Sequence, residues 1–216
     1  MATNMKSSGD RAGGLHPEEL TAYRKTRTGL ELLLRPVKDS DEPLLRDLVH
    51  SLSDDSLDHR FFTHWREMLE GQVREMAVFN HQREMAIAAI PAKDGTPGKE
   101  EIIAVGRYYI MPKQQIASIV FEVRDDYQNQ GVGQVLLSHL TGLARRQGLL
   151  GFTASVLPDN EAMFRVFEKG GFETRKEMTE GVVTLMMMFK QAEPEETYVP
   201  EEPDILGSGL EGLLPK

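Results

Sequence analysis

The chain contains no cysteine, and that absence removes several chemistries at once. Disulfides, thiolate-held metals and a covalent acyl-cysteine intermediate are excluded, so any group transfer has to be direct, within a ternary complex. Long apolar runs are missing as well, and none approaches the roughly 18 residues needed to span a membrane. The N-terminus carries charged and glycine residues where a secretory leader needs an apolar core, so a cytoplasmic protein with no membrane partner is expected. Net basic charge is also lacking. The formal charge is −9, whereas a nucleic-acid-binding domain normally presents a basic face, so no nucleic-acid partner is expected. Two familiar phosphate loops are absent: there is no G-x-x-x-x-G-K-[ST], and no full G-x-G-x-x-G followed by an acidic residue about twenty positions on.

What is present fits one domain between two tails. The 216 residues lie in the single-domain range, and 40% hydrophobic content is ordinary for a soluble protein. Residues 1–29, Gly/Ser-rich at their start, read as a partly flexible extension, and residues 30–190 as the domain. Residues 191–216 hold seven Asp/Glu against one lysine, with Pro194, Pro200, Pro203 and Pro215, and read as an extended acidic tail. Leu206, Leu210, Leu213 and Leu214 could dock that tail on a partner, a solvated tail being the plainer alternative.

Between the tails, strands alternate with helices. A strand is predicted at 30–35, then a helix near 41–52 with Asp39 and Ser40 as candidate N-caps, and a restart at Ser53. A helix near 64–73 leads to strands near 76–80, 84–91 and 101–111, the last two separated by the turn-forming Asp94–Gly98. A strand over 115–124, a helix over 132–146, a strand over 152–157, a helix after Asn160 and a hairpin across Glu180-Gly181 complete the order. The helix has Val132, Val135, Leu136, Leu140 and Leu143 at i, i+3, i+4 spacing, with Arg145 and Arg146 in its last turn.

The most informative stretch runs from Val123 to Gly133, an apolar strand entering a glycine-containing turn and then an amphipathic helix. The first N–H groups of a helix have no intrahelical partner, and the macrodipole adds positive charge, so such a turn can hold an anionic diphosphate without a lysine. Gln128-x-x-Gly131-x-Gly133 resembles the acyl-CoA-binding signature of the Gcn5-related N-acetyltransferases (GNAT). Pro158-Asp159-Asn160 through Phe167 and Gly171-Phe172 resembles the second half of that family's domain. The likeness implies an α/β (α+β) fold: a mixed, mostly antiparallel sheet, helices on both faces and a splayed strand pair. It implies acetyl-CoA as cosubstrate, without a metal, contacted by Phe121, Val123, Gln128, Asn129, Gln130, Gly131, Val132, Gly133, Gln134, Asn160 and Phe167.

A narrower resemblance covers about residues 30–190. Arg35-Pro36-Val37, Asp41-Glu42-Pro43-Leu44-Leu45, Leu52-Ser53-x-x-Ser56-x-x-x-Arg60-Phe61-Phe62 and Phe121-x-Val123-x-Asp125-x-Tyr127-Gln128 are similar to the catalytic domain of bacterial Pat-type protein lysine acetyltransferases. Those enzymes acetylate AMP-forming acyl-CoA synthetases, which implies lysine on a protein as acceptor. Acetylation of a small amine, or acyl-CoA sensing without turnover, are the alternatives.

A lysine ammonium, with a pKa near 10.4, must lose a proton before it can attack a thioester, so a carboxylate or a relayed water belongs beside it. The resemblance implies a glutamate five residues before Val123, where this chain has Ser118. Glu122 lies on the same strand face and is the nearest substitute, pairing with Arg107 or Arg124 being its plainer reading. Phe167 stands where many relatives carry a tyrosine, leaving water, Tyr108, Tyr109 or Tyr127 to protonate the leaving thiolate. His59 and His64 with Asp55 and Asp58 read as surface polar residues, His139 as a partly exposed packing residue, and Met186, Met187 and Met188 as core fillers. Asp125 and Asp126 read as caps and turn-formers, and Arg165 as an exposed helical arginine that could reach a CoA phosphate.

Overall fold

A computed structural model describes residues 20–61, 84–92, 100–111 and 114–190. The helix expected near 64–73, the strand near 76–80, the 94–98 turn, His64 and the acidic tail lie outside the described residues. Eight strands form one sheet in the order β1-β2-β3-β4-β5-β6-β8-β7. They are β1 (Ala22–Lys25), β2 (Glu31–Pro36), β3 (Glu84–Pro91), β4 (Ala104–Ile110), β5 (Ile116–Val123), β6 (Gly151–Val156), β7 (Glu173–Thr179) and β8 (Val182–Met188). The helices are α1 (Glu42–His50), α2 (Asp54–Phe61), α3 (Val132–Arg146) and α4 (Glu161–Glu168). This is the mixed, mostly antiparallel sheet with helices on both faces that the sequence predicts.

Among the described strands, every pairing is antiparallel except β5 with β6. That pair is joined through α3, the helical crossover a parallel connection requires. The apolar stripe of α3 buries Val132, Leu136, Leu140 and Leu143 against one face of the sheet, in a core shared with Ile119, Phe121 and Phe152. On the opposite face, Leu45, Leu48 and Val49 of α1, with Leu52 and Leu57, cover Ala86, Ala88, Ile90 and Val105. The helix thus packs where its 3.6-residue period points.

Three local expectations are corrected. Residues of the expected N-terminal extension form β1, whose Ala22–Lys25 pair with Leu34–Glu31. Of the three methionines read as core, Met187 is fully buried while Met186 is 43% exposed, because strand alternation turns neighbours to opposite faces. Neither Asp39 nor Ser40 caps α1 with its side chain; the chain passes through a 3-10 turn over 39–41 instead. Asp41 is the anchor there. Its carboxylate accepts from Arg35 Nη1 at 2.6 Å and Nη2 at 3.0 Å, and from the Lys38 N–H at 2.9 Å.

Both partners of the Arg35–Asp41 pair are buried. Burial alone raises the Asp41 carboxyl, but the Arg35 and Lys38 hydrogen bonds outweigh it and hold the group below its ordinary 3.8. A depressed carboxylate contributes stability above the unfolded-state value and loses it as pH falls through the folded one. Asp41→Asn should therefore cost about 2 kcal/mol at pH 7, since Arg35 loses its buried counter-charge and keeps only the more exposed Glu100, 3.2 Å from its Nη2. Urea unfolding should show the gap to wild type shrinking below pH 3.8.

Candidate active site

The site begins where β5 and β6 part. They pair only at Ile116↔Gly151, Ala117↔Phe152 and Ser118↔Thr153, although β5 runs on to Val123 and β6 to Val156. Past Ser118 the two strands diverge. The side of β5 that faces the gap follows from its bonds to the other neighbour. The Arg124 N–H donates to Ile103 O, and Ile116 O accepts from the Met111 N–H, each at 2.9 Å. Even-numbered positions therefore turn their backbone groups toward β4, and Ile119, Phe121 and Val123 turn theirs toward the gap. A cleft of about 920 Å³ opens there, reached by β5, the turn after it, β6 and α4.

The floor of the cleft is the turn itself. After a 3-10 turn at Asp125–Tyr127 the chain is extended at Gln128, left-handed at Asn129 (φ 57°) and again at Gly131 (φ 89°), and α3 starts at Val132. Gly131 is needed because a side chain at that φ is strained. No side chain caps α3, so the N–H groups of Val132, Gly133 and Gln134 point out of the helix end with no intrahelical acceptor. Gly133 serves packing too: its Cβ would sit 3.3 Å from Val166 Cγ2 of α4. The turn between β1 and β2 braces this loop from below, Thr28 Oγ1 donating to Gln130 O at 3.0 Å.

All of the expected contact and catalytic residues line this one cleft. Ser118 stands at its apex beside Thr153. Glu122 is 2% exposed and lies on the same face of β5 as Ser118. The register Val105↔Glu122 and Arg107↔Val120 makes Arg107, also 2% exposed, its diagonal neighbour on β4. Arg124, the other cation considered for Glu122, is engaged with Asp126 and Glu101. The rings of Phe121 and Phe167 meet across the cleft at 6.0 Å. Asn160 is the N-cap of α4, its Oδ1 accepting from the Met163 N–H at 3.0 Å, so only its amide N–H groups remain for a ligand. Gln134 Oε1 is a buried acceptor with no partner among the described residues.

Of the three tyrosines considered as proton donors, Tyr127 alone lines the cleft. Tyr108 is fully buried, donates to Gln147 Oε1 at 2.6 Å, and is pushed up by burial; Tyr109 lies outside the cleft walls. His139 sits away on α3, where its Nε2 donates to Leu20 O at 3.0 Å and burial lowers its pKa.

Sequence reasoning missed the polar tie beneath the cradle. Asp125 accepts from the Ser53 N–H at 2.9 Å, Ser53 Oγ at 2.6 Å and Ser56 Oγ at 2.8 Å. Burial raises this carboxyl, and those three hydrogen bonds outweigh it and hold it low. Gln128 Nε2 donates to Ser56 Oγ at 3.0 Å and to Val123 O at 3.2 Å. His59, read as a surface residue, contacts Asp159 Oδ1 at 3.2 Å on the rim of the cleft. The only local signal was Ser53-x-x-Ser56, which puts two hydroxyls one turn apart.

A strand pair that splays above an uncapped helix start is the arrangement of an acyl-CoA-binding acetyltransferase fold, and comparison with known proteins agrees. Residues 46–172 match the model of the acetyltransferase (GNAT) family, and the chain belongs to that family. It is 27% identical over 120 residues to an acetyltransferase of Pseudomonas aeruginosa, covering 56% of this chain and 63% of that one. It is 36% identical over 92 residues to the acetyltransferase Pat of Mycolicibacterium smegmatis, covering 42% of this chain and 26% of that one. The matches thus span less than two thirds of either curated relative. Among solved structures, the GNAT domain of S. lividans PAT superposes with a TM-score of 0.70 at 27% identity, covering 81% of this chain and 100% of that domain. A cAMP-binding acyltransferase from Mycobacterium smegmatis shares the fold at 23% identity and a TM-score of 0.51, over 87% of this chain and 53% of that one.

The cap geometry of Asn160 separates two roles of one side chain. Asn160→Ala should lower stability by about 1 kcal/mol, the usual cost of a lost N-cap, and Asn160→Asp should not, because aspartate keeps the accepting oxygen. Thermal unfolding of both variants checks this.

Proposed function

We propose that the chain transfers an acetyl group from acetyl-CoA to an amine, the acceptor being a lysine side chain of a protein such as an acyl-CoA synthetase. The observation that carries this reading is the free inner edge of β5 running directly into the uncapped start of α3. Such an edge suits an extended chain of amides, and such a helix start suits a diphosphate. The orphaned Gln134 Oε1 and the amide of Asn160 add an acceptor and donors suited to the amide-bearing arm of CoA. The lysine acceptor is supported by the likeness to Pat.

Acetyl-CoA, when bound, supplies an acyl group activated as a thioester. The residues of the chain do the rest. The N–H groups of Val132, Gly133 and Gln134 hold negative charge at the diphosphate end. The gap-facing N–H groups of Phe121 and Val123 orient the arm and donate to the carbonyl oxygen as it becomes negative. Glu122 takes the amine proton directly or through a water held at Ser118. The amine nitrogen then bonds the acyl carbon as the carbon–sulfur bond breaks; the nitrogen gives up its second proton to water, and the thiolate takes a proton from water or from Tyr127, since Phe167 has none to give. With no cysteine in the chain, the transfer is direct. Residues 30–190 are the catalytic domain in this reading, with β1 completing its sheet, and the acidic tail is left to contact a partner. No helix among the described residues is long and apolar enough to cross a membrane, in keeping with a cytoplasmic enzyme.

Ser118 and Phe167 favour one second reading, a sensor that binds acyl-CoA without turning it over. Two measurements decide. Gly131→Val should weaken CoA binding in calorimetry by about tenfold or more, through strain and blocked backbone approach, with the circular dichroism spectrum unchanged. Glu122→Gln should lower turnover on candidate synthetases, followed by mass spectrometry, by about 100-fold with acetyl-CoA affinity kept. Tight CoA binding with no acetylated lysine on any candidate selects the sensor, and wild-type CoA affinity in Gly131→Val sinks both readings.

A further inference from the structure

Helix α2 lies across the open end of the strand pair and is tied to both of its lips. At its start, the Ser53 N–H, Ser53 Oγ and Ser56 Oγ converge on the Asp125 carboxylate at 2.9, 2.6 and 2.8 Å. Ser56 Oγ also accepts from Gln128 Nε2 at 3.0 Å. Asp125 and Gln128 belong to the turn that carries β5 into the cradle. One helical turn beyond Ser56 and on the same side, His59 reaches Asp159 Oδ1 at 3.2 Å, beside the cap residue Asn160 that follows β6. Leu57, between the two ties, is fully buried against the sheet. The helix is therefore fastened by hydrophobic burial toward the core and by polar groups toward the two segments that would bind the donor.

We propose that Asp125 is a positioning residue that fastens α2 to the cradle and couples its docking to binding of the CoA diphosphate there. The proposal rests on the acyl-CoA reading above. A ligand that fixes the turn from Asp125 to Gly131 fixes the two side chains that hold Ser53 and Ser56, so α2 is held more firmly when the donor is in place. Coupling between two sites is reciprocal: whatever factor CoA adds to the docking of α2, docked α2 adds to the affinity for CoA.

That equality supplies the test, with CoA alone as the probe and the full chain as the protein. Hydrogen exchange of the α2 amides should slow by about fivefold or more on saturation with CoA. Asp125→Ala should remove that slowing and, in calorimetry, weaken CoA by the same factor. Ser53→Thr, which keeps the hydroxyl, should behave as wild type. A tie of purely structural value would loosen α2 equally with and without CoA and leave the affinity unchanged. CoA binding that leaves α2 exchange unaltered in wild type overturns the proposal, as does wild-type affinity in Asp125→Ala. Should Asp125→Ala fail to fold, Ser53→Ala/Ser56→Ala carries the same expectation and the same contradiction. A wild type that binds no CoA overturns the acyl-CoA reading itself, and the coupling with it.

Discussion

The structure depends on a register that stops. β5 and β6 are paired over three residues and then separate, leaving backbone donors and acceptors on an inner edge in the middle of an eight-stranded sheet. Unpaired backbone inside a fold is costly unless something else meets it. The fold is arranged so that this edge faces a cleft instead of a core. The left-handed turn at Asn129 and Gly131 carries the chain from β5 into α3. α4 packs against the start of α3 where Gly133 leaves room for Val166. The cleft is what remains when the two strands are held apart by well-packed neighbours on each side.

The polar groups around that cleft divide by burial. Glu122 is nearly inaccessible, and Arg107 lies diagonally from it on β4. Asp125 and Asp159 sit at the rim, where each holds one end of α2. Ser118, standing where the Pat-type pattern places a glutamate, puts a small hydroxyl at the apex of the splay. In the proposed reading the base is Glu122, four residues along the same face of the same strand. Strand periodicity allows that displacement without turning the carboxylate to the other side.

Features set by neighbouring residues could be read in the sequence. The period of Val132, Leu136, Leu140 and Leu143 predicts a helix over 132–146, and α3 has those bounds. Glu180-Gly181 predicts a hairpin, and both residues adopt the positive φ that such a turn demands. The left-handed turn was visible at Gly131 but not at Asn129. Features set by distant partners were not visible. The strand Ala22–Lys25 has little apolar alternation and exists through its pairing with β2. The ties from Ser53 and Ser56 to Asp125 join residues 72 and 69 positions apart, and nothing local to Asp125 distinguishes it from a turn-former. Met186 and Met187 differ in exposure only because of the face each strand position takes in the assembled sheet.

The central claim is that the open edge of β5 and the start of α3 together form a binding site for acetyl-CoA. The most direct measurement is an amide chemical-shift titration of the nitrogen-15-labelled chain with acetyl-CoA. The largest saturable shifts are predicted at Phe121, Val123, Val132, Gly133 and Gln134, with little change in the smaller cleft bordered by Arg24, His139 and Arg146 on the far part of α3. Saturable shifts confined to that second cleft, or none at β5 and the start of α3, would contradict the account.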